Sequence, residues 1–272
     1  MDSRPIGVFD SGLGGLTTLK KLAEFLPRED IIYLGDTGRV PYGPRSRDTI
    51  TRYARQDAAF LAGFDIKAMV VACNTVCSVA FDMLDGIYDL PLYEVVTAPA
   101  KAAAALTKNG KIGVIGTAAT IGSGAYETAL NKEAPGIDVF SAPCPLFVPL
   151  AENGRTDPDD IAAVTIADDY LREMRESGVD TLIMGCTHYP LLRAVISRVM
   201  GPGVALVDSG AETARAVAGD LGARGMLSQG GAGGAGGTIR YFVTDSIDGF
   251  AGLAARFLES EVRGQIKQIA LD

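Results

Sequence analysis

The chain has 272 residues, long for one compact unit and comfortable for two domains, and its 47% hydrophobic and 21% charged residues exclude a disordered protein. A formal net charge of −8 with no basic run excludes the electrostatic footprint of nucleic-acid binding. Four cysteines beside a single histidine, with no Cys-x-x-Cys, make neither a disulfide framework nor a zinc ligand set, so the thiols are expected to be free and to work without metal.

The chain opens Met1-Asp2-Ser3-Arg4-Pro5, with neither the apolar stretch of a secretory signal nor a membrane span of roughly 20 residues, and the expected location is the cytoplasm. Residues 6–9 form the first apolar run. The loop Asp10-Ser11-Gly12-Leu13-Gly14-Gly15 follows and opens a helix on which Leu16, Leu19, Leu22 and Leu26 recur at helical spacing, which makes the loop an anion cradle. Residues 31–34, 68–72 and 92–96 are further short runs rich in Val and Ile, apolar on both faces, as in strands of a helix-covered parallel sheet. A later amphipathic helix carries Ile161, Val164, Ala167, Leu171 and Met174. Asp157 is its expected cap, Pro158 suits its first turn, and Asp159 and Asp160 suit its positive end. The Gly/Ala tract 230–237 reads as a flexible loop. A strand over 238–243 and a helix near 249–258 are expected to return to the first half of the molecule. The class is α/β.

Four landmarks recur in the same order. Gly7-Val8-Phe9 with Asp10-Ser11 returns as Gly113-Val114-Ile115 with Gly116-Thr117, 106 positions on. Met69-Val70-Val71-Ala72-Cys73-Asn74-Thr75 returns as Leu182-Ile183-Met184-Gly185-Cys186-Thr187-His188 after 113 positions. Val95-Val96 with Ala100 and Ala103 returns as Leu206-Val207 with Ala211 and Ala214, and the run at 31–34 matches 139–141 weakly. The expected architecture is therefore two pseudosymmetric lobes, each a mostly parallel sheet flanked by helices, with the active site in the cleft between them. Residues 1–97 with 210–272 form the first lobe and 98–209 the second. Ligands of open parallel sheets bind beyond the carboxyl ends of strands, so each lobe offers one cysteine at its own binding edge.

Taken singly, Cys73 or Cys186 could be a small buried hydrophobe. Two cysteines at matching points of a duplicated unit, each directly before hydrogen-bonding residues, favour a catalytic pair instead. Cys77 and Cys144 have no such symmetry and read as structural. A thiol acts as a base only when its thiolate is reachable, so each needs a helper, and Asp10, Glu152 and His188 are the candidates. Asn74-Thr75, Thr117 to Thr120 and Thr187, with the loop at Ser11, form a donor-rich edge suited to small carboxylates. As a dinucleotide fingerprint the glycine loop is imperfect, since G-x-G-x-x-G/A begun at Gly12 ends on Thr17, although Asp36 keeps a dehydrogenase in play. The same residues also admit a cysteine hydrolase, which would leave Cys73 without a role, and a non-catalytic amino-acid-binding module, which would need neither thiol. No Schiff-base lysine motif is evident, which agrees with chemistry that uses no cofactor.

Together these motifs resemble glutamate racemase, of the aspartate/glutamate racemase family. The resemblance rests on Phe9-Asp10-Ser11-Gly12-Leu13-Gly14-Gly15, Gly35-Asp36 with Pro41-Tyr42-Gly43, Ala72-Cys73-Asn74-Thr75, Cys144-Pro145-Leu146-Phe147-Val148-Pro149-Leu150 with Glu152, and Gly185-Cys186-Thr187-His188-Tyr189-Pro190. They run in the family's order to about residue 215. The resemblance implies interconversion of L- and D-glutamate and supply of D-glutamate for bacterial peptidoglycan. It implies that Asp10 assists Cys73, that Glu152 and His188 assist Cys186, and that Ser11, Tyr42, Gly43, Asn74, Thr75 and Thr187 contact substrate. One segment departs from the pattern: Glu94-Val95-Val96-Thr97-Ala98-Pro99 stands where the family usually reads Gly-Val-Ile-Glu-Pro-Gly. Val76 likewise replaces the usual alanine. A homodimer is the expected assembly, with no sequence pattern to give its geometry.

Overall fold

The structure, a computed structural model, describes residues 1–230 and 236–271. The chain begins with β1 (Ile6–Asp10), α1 (Leu16–Phe25), β2 (Ile31–Gly35), α2 (Arg47–Ala62), β3 (Ala68–Val71), α3 (Asn74–Leu84), β4 (Leu92–Tyr93) and α4 (Thr97–Leu106). It continues through β5 (Lys111–Gly116), α5 (Ala118–Gly122), α6 (Ala125–Glu133), β6 (Asp138–Pro143), α7 (Phe147–Glu152) and α8 (Ile161–Ser177). Then come β7 (Thr181–Gly185), a 3-10 turn (Tyr189–Leu192), α9 (Arg193–Met200), β8 (Ala205–Asp208), α10 (Ser209–Ala223), β9 (Ile239–Val243), α11 (Ile247–Leu258) and β10 (Gln265–Gln268).

The strands form two parallel sheets, ordered β10-β9-β2-β1-β3-β4 and β6-β5-β7-β8. The order β2-β1-β3-β4 in the first matches β6-β5-β7-β8 in the second, so three of the four duplicated landmarks lie on corresponding strands or at their ends, while Leu206-Val207 lies within β8 and its counterpart Val95-Val96 lies between β4 and α4. Phe9 pairs with Val71 and Gly116 with Gly185, which brings the carboxyl ends of β1 and β3, and of β5 and β7, side by side.

Alternation along each strand sorts side chains between two faces. Ile6, Val8, Ile31, Tyr33, Ala68 and Val70 pack with α1, α10 and α11, whereas Phe9, Ile32, Leu34, Met69 and Val71 pack with α2 and α3. The second cluster runs on without a break into Ile112, Val114, Ile183 and Val207, where α4 and α6 cover the other sheet. Ile115, Leu182 and Met184, on the opposite face of that sheet, are closed by α7, α8 and α9. Each buried Val, Leu or Ile contributes roughly 1.5–3 kcal/mol.

Three expectations from the sequence change, and one strand is new. The fourth strand stops at Tyr93, because the Glu94 carboxylate accepts the backbone N–H groups of Val96 and, at 2.8 Å, of Thr97; those donors start α4 instead of extending the strand. The cap of α8 is Asp160, not Asp157: its side chain accepts from Ala163 N at 3.0 Å, while Asp157 turns the preceding loop by accepting from Asp159 N. The buried stripe of α8 is accordingly Ala163, Ala167, Leu171 and Met174, and Ile161 is 83% exposed. The polar strand β10, pairing with β9, extends the first sheet where no apolar run announced it. Of the tract 230–237, residues 231–235 lie outside the described residues.

Candidate active site

The central strands of both sheets end at one cavity. Ser11 follows β1, Cys73 follows β3, Thr117 follows β5 and Cys186 follows β7, and all four border it. Tyr42, Gly43, Asn74, Thr75, Glu152, Thr187 and His188 complete the expected set at its wall. Asp10 and Thr120 stand behind the wall, at Ser11 and Thr117 respectively.

Cys73 is the N-cap of α3 and is buried, its sulfur 3.3 Å from Ser11 Oγ. Burial, then the negative charge of Asp10, push this thiol up to about 12, against hydrogen bonds from Ser11 and the Val76 N–H. Asp10 is fully buried, and burial raises its pKa too, against N–H groups of Gly15, Gly12 and Ser11 and the charge of His188. Its Oδ2 accepts from Gly12 N at 3.0 Å, whereas its Oδ1 has no hydrogen-bond partner among the described residues. Asp10 thus keeps an oxygen with no donor on it, near enough to Cys73 for its charge to act on that thiol.

Cys186 has a different environment. His188 Nδ1 lies 3.9 Å from its sulfur, and His188 Nε2 lies 3.0 Å from Glu152 Oε1. Burial works against a charge on this imidazole, but the bonds to Cys186 and Glu152 outweigh it and push His188 up to about 10. An imidazolium is therefore present at neutral pH. Phe257 of α11 sets its ring edge-on to His188 at 5.3 Å, and Arg256 donates to the Glu152 carbonyl, so one helix of the first sheet steadies both helpers.

Hydroxyls and backbone close the cavity from both sheets. Thr75 Oγ1 and Thr117 Oγ1 are 3.0 Å apart, and Thr120 Oγ1 is 3.0 Å from Thr117 Oγ1, which fixes the latter. Thr17 Oγ1 donates to the Thr187 carbonyl at 2.8 Å. Gly14 must be glycine here, since a Cβ would lie 2.1 Å from Thr187 Oγ1 and 2.6 Å from His188 Nδ1. Two expected substrate contacts are occupied within the protein: the Asn74 amide donates to Val95 O and to Tyr126 Oη, and the Tyr42 hydroxyl is held by Asp36 and Asp57. Asp36 itself is fully buried among Arg39, Tyr42 and Thr244, so it cannot read a ribose, and the dehydrogenase reading falls. Cys77 and Cys144 donate to the carbonyls of Val71 and Ala142, away from the cavity.

Residues 6–217 match the Asp/Glu/hydantoin racemase family. The chain belongs to that family. It is 47% identical to the glutamate racemase of Geobacter metallireducens, with 100% of this chain and 98% of that protein covered. A solved glutamate racemase isoform of Bacillus anthracis matches with a TM-score of 0.93 at 36% identity, covering 99% of this chain and 98% of that one. The Francisella tularensis glutamate racemase solved with D-glutamate gives 0.91 at 37%, covering 100% and 99%.

The chain is thus an amino-acid racemase. Several residues of this racemase's site escape sequence reasoning. Tyr126, Arg256 and Phe257 carry no local motif. Asp57 did leave a signal, because it falls on the apolar stripe Ile50, Ala54, Ala58 and Leu61 of α2, where a charge is out of place. Among the described residues, no three His, Cys, Asp or Glu side chains are grouped to hold a metal ion, and no helix is long and apolar enough to cross a membrane.

Proposed function

We propose that this racemase interconverts L- and D-glutamate without a cofactor, using Cys73 and Cys186 as bases on opposite faces of the substrate's α-carbon. The observation that carries this reading is that two thiols from corresponding strand ends of different sheets border the same cavity, each with its own proton partner. Residues 1–97 with 210–272, and 98–209, act as the two lobes of the cleft.

From L-glutamate, Cys186 as thiolate takes the Cα proton, and His188 with Glu152 holds the charge at that sulfur. The electron pair left on Cα is spread into the α-carboxylate, where hydroxyl and N–H dipoles of Ser11, Thr75, Thr117, Thr187 and Gly43 stabilise it. The Cys73 thiol, protonated at neutral pH, delivers its proton to the other face and is left as thiolate. In the reverse direction Cys73 is the base, and Asp10 Oδ1 is the acceptor through which that thiol is first deprotonated. No lysine borders the cavity among the described residues, so no amine is at hand for a Schiff base. The wall hydroxyls hold the side-chain carboxylate, which favours glutamate over alanine or leucine. D-glutamate made in the cytoplasm by a homodimer would feed peptidoglycan synthesis and cell shape.

The test is incubation of the purified protein with L-glutamate in D₂O, with no added cofactor. D-glutamate carrying deuterium at Cα is the expected product. Recovery of unexchanged L-glutamate would leave a binding module, and dependence on added pyridoxal phosphate or zinc would overturn the cofactor-free chemistry.

A further inference from the structure

Asp57 is completely buried on α2, and both of its oxygens meet the segment that follows β2. Oδ1 accepts from Arg39 Nη2 at 2.9 Å, and Oδ2 lies 3.0 Å from Tyr42 Oη. Asp36 competes for the same partners. Its Oδ2 accepts from Arg39 Nε at 2.5 Å and from the Tyr42 hydroxyl, and its Oδ1 accepts from Thr244 Oγ1 at 2.8 Å. Arg39 Nη1 is on Gln56 Oε1 at 2.5 Å.

Tyr42 has one proton to give. With that proton on Asp36, the contact between Tyr42 Oη and Asp57 Oδ2 contains no hydrogen unless Asp57 supplies it. Among the described residues a single cation, Arg39, is paired with these two buried carboxyl groups, and a second uncompensated buried charge would be costly. Asp36, Arg39 and Tyr42 face Asp57 from the segment after β2, Gln56 from its own helix, and Asp10 from β1. Burial, then the charge of Asp36, hold Asp57 well above the usual carboxylate range, against Arg39 and Tyr42.

We propose that Asp57 is a positioning residue that acts as a neutral carboxylic acid, donating its proton to Tyr42 and so fixing the Tyr42-Gly43 wall of the active site. That wall is closely set: a Cβ on Gly43 would stand 3.2 Å from Thr117 Cβ, across the cavity's border between the two sheets. Release of the Asp57 proton at alkaline pH turns a donor into a second anion facing the Tyr42 oxygen, and the wall loosens.

Two variants and one spectrum test this, with glutamate as substrate on the reading above. Asp57→Asn keeps a neutral group able to donate and to accept, so its KM is expected within about 2-fold of wild type, and the alkaline rise in KM expected of wild type should be absent from it. Asp57→Ala removes both, and its KM is expected to rise roughly 10-fold with a smaller change in kcat, the scale of one lost buried hydrogen bond. Difference infrared spectra of wild type against Asp57→Asn at neutral pH should contain the carbonyl stretch of an un-ionised carboxyl group. That spectrum needs no substrate and no Ala variant, so it decides the matter even if the glutamate reading fails or Asp57→Ala does not fold. The inference is overturned if wild type shows only ionised-carboxylate bands, or if Asp57→Asn is as damaged as Asp57→Ala, because an anion would then be what the wall requires.

Discussion

The imidazole of His188 and the thiol of Cys186 stand 3.9 Å apart, Nδ1 to sulfur, while the ring's other nitrogen is tied to Glu152. The chain has one histidine, so its ring can be followed by NMR without ambiguity. Its titration midpoint is expected near 10, where its bonds to Cys186 and Glu152 have moved it. Because the folded value lies above the unfolded one, the stability this group contributes is complete below the unfolded pKa of about 6.5 and is lost as pH rises through about 10. Glu152→Gln should lower the midpoint. A midpoint at the ordinary imidazole value would remove the charged partner assigned to Cys186.

At the other thiol the partner is an anion, and the expected effect has the opposite sense. Asp10→Asn removes the negative charge that helps hold the Cys73 thiol at about 12. Alkylation of Cys73 at a fixed mildly alkaline pH, followed by mass spectrometry, should therefore become faster. Racemisation should fall by about 10²- to 10⁴-fold in the same variant, the usual cost of losing one proton-transfer group. Unchanged or slower alkylation would show that Asp10 does not act on Cys73.

Gly14 marks how closely the two sheets' loops approach. Gly14→Ala forces a methyl group into Thr187 and His188, so the loop must retreat from the Cys186 side of the cavity. A misplacement of about 1 Å at a catalytic group can cost on the order of 10²-fold. That loss in kcat/KM is expected with a native circular dichroism spectrum; near wild-type turnover would mean the loop is free to shift.

Specificity offers a further check. The hydroxyls of Ser11, Thr75, Thr117 and Thr187 line the cavity, a set large enough to serve a side-chain carboxylate as well as the α-carboxylate, and glutamate should be racemised faster than aspartate, alanine or leucine. Faster turnover of aspartate in a direct comparison would correct the substrate and leave the two-thiol chemistry standing.

Much of this arrangement was legible in the chain because duplication is a long-range signal that survives local ambiguity. The strand that ends at Cys73 and the strand that ends at Cys186 could be matched, and their equivalent places in β3 and β7 follow from the common strand order. What stayed hidden depends on single side chains choosing among partners. Asp157 and Asp160 are both acceptable caps by type, and only Asp160 is placed to accept from Ala163. The Glu94 carboxylate ends one element and starts another by taking two backbone donors. Tyr42 borders the cavity, while its hydroxyl is turned to Asp36 and Asp57, and no local pattern shows that these two residues, well separated in sequence, meet at one oxygen.

The central claim is that each thiol serves one face of Cα, and single cysteine variants test it most directly. Cys73→Ala and Cys186→Ala should each lose racemisation by about 10²- to 10⁴-fold or more, because one face can neither lose nor gain a proton. A substrate analogue with a good β-leaving group needs only one deprotonation to eliminate, so each variant should still process one enantiomer. Elimination from both enantiomers of such an analogue is the measurement. Cys73→Ala should retain reaction with the L-form, using Cys186, and Cys186→Ala with the D-form, using Cys73. The same preference in both variants, or racemisation near the wild-type rate in either, would contradict the account, because one of the two thiols would then be a bystander.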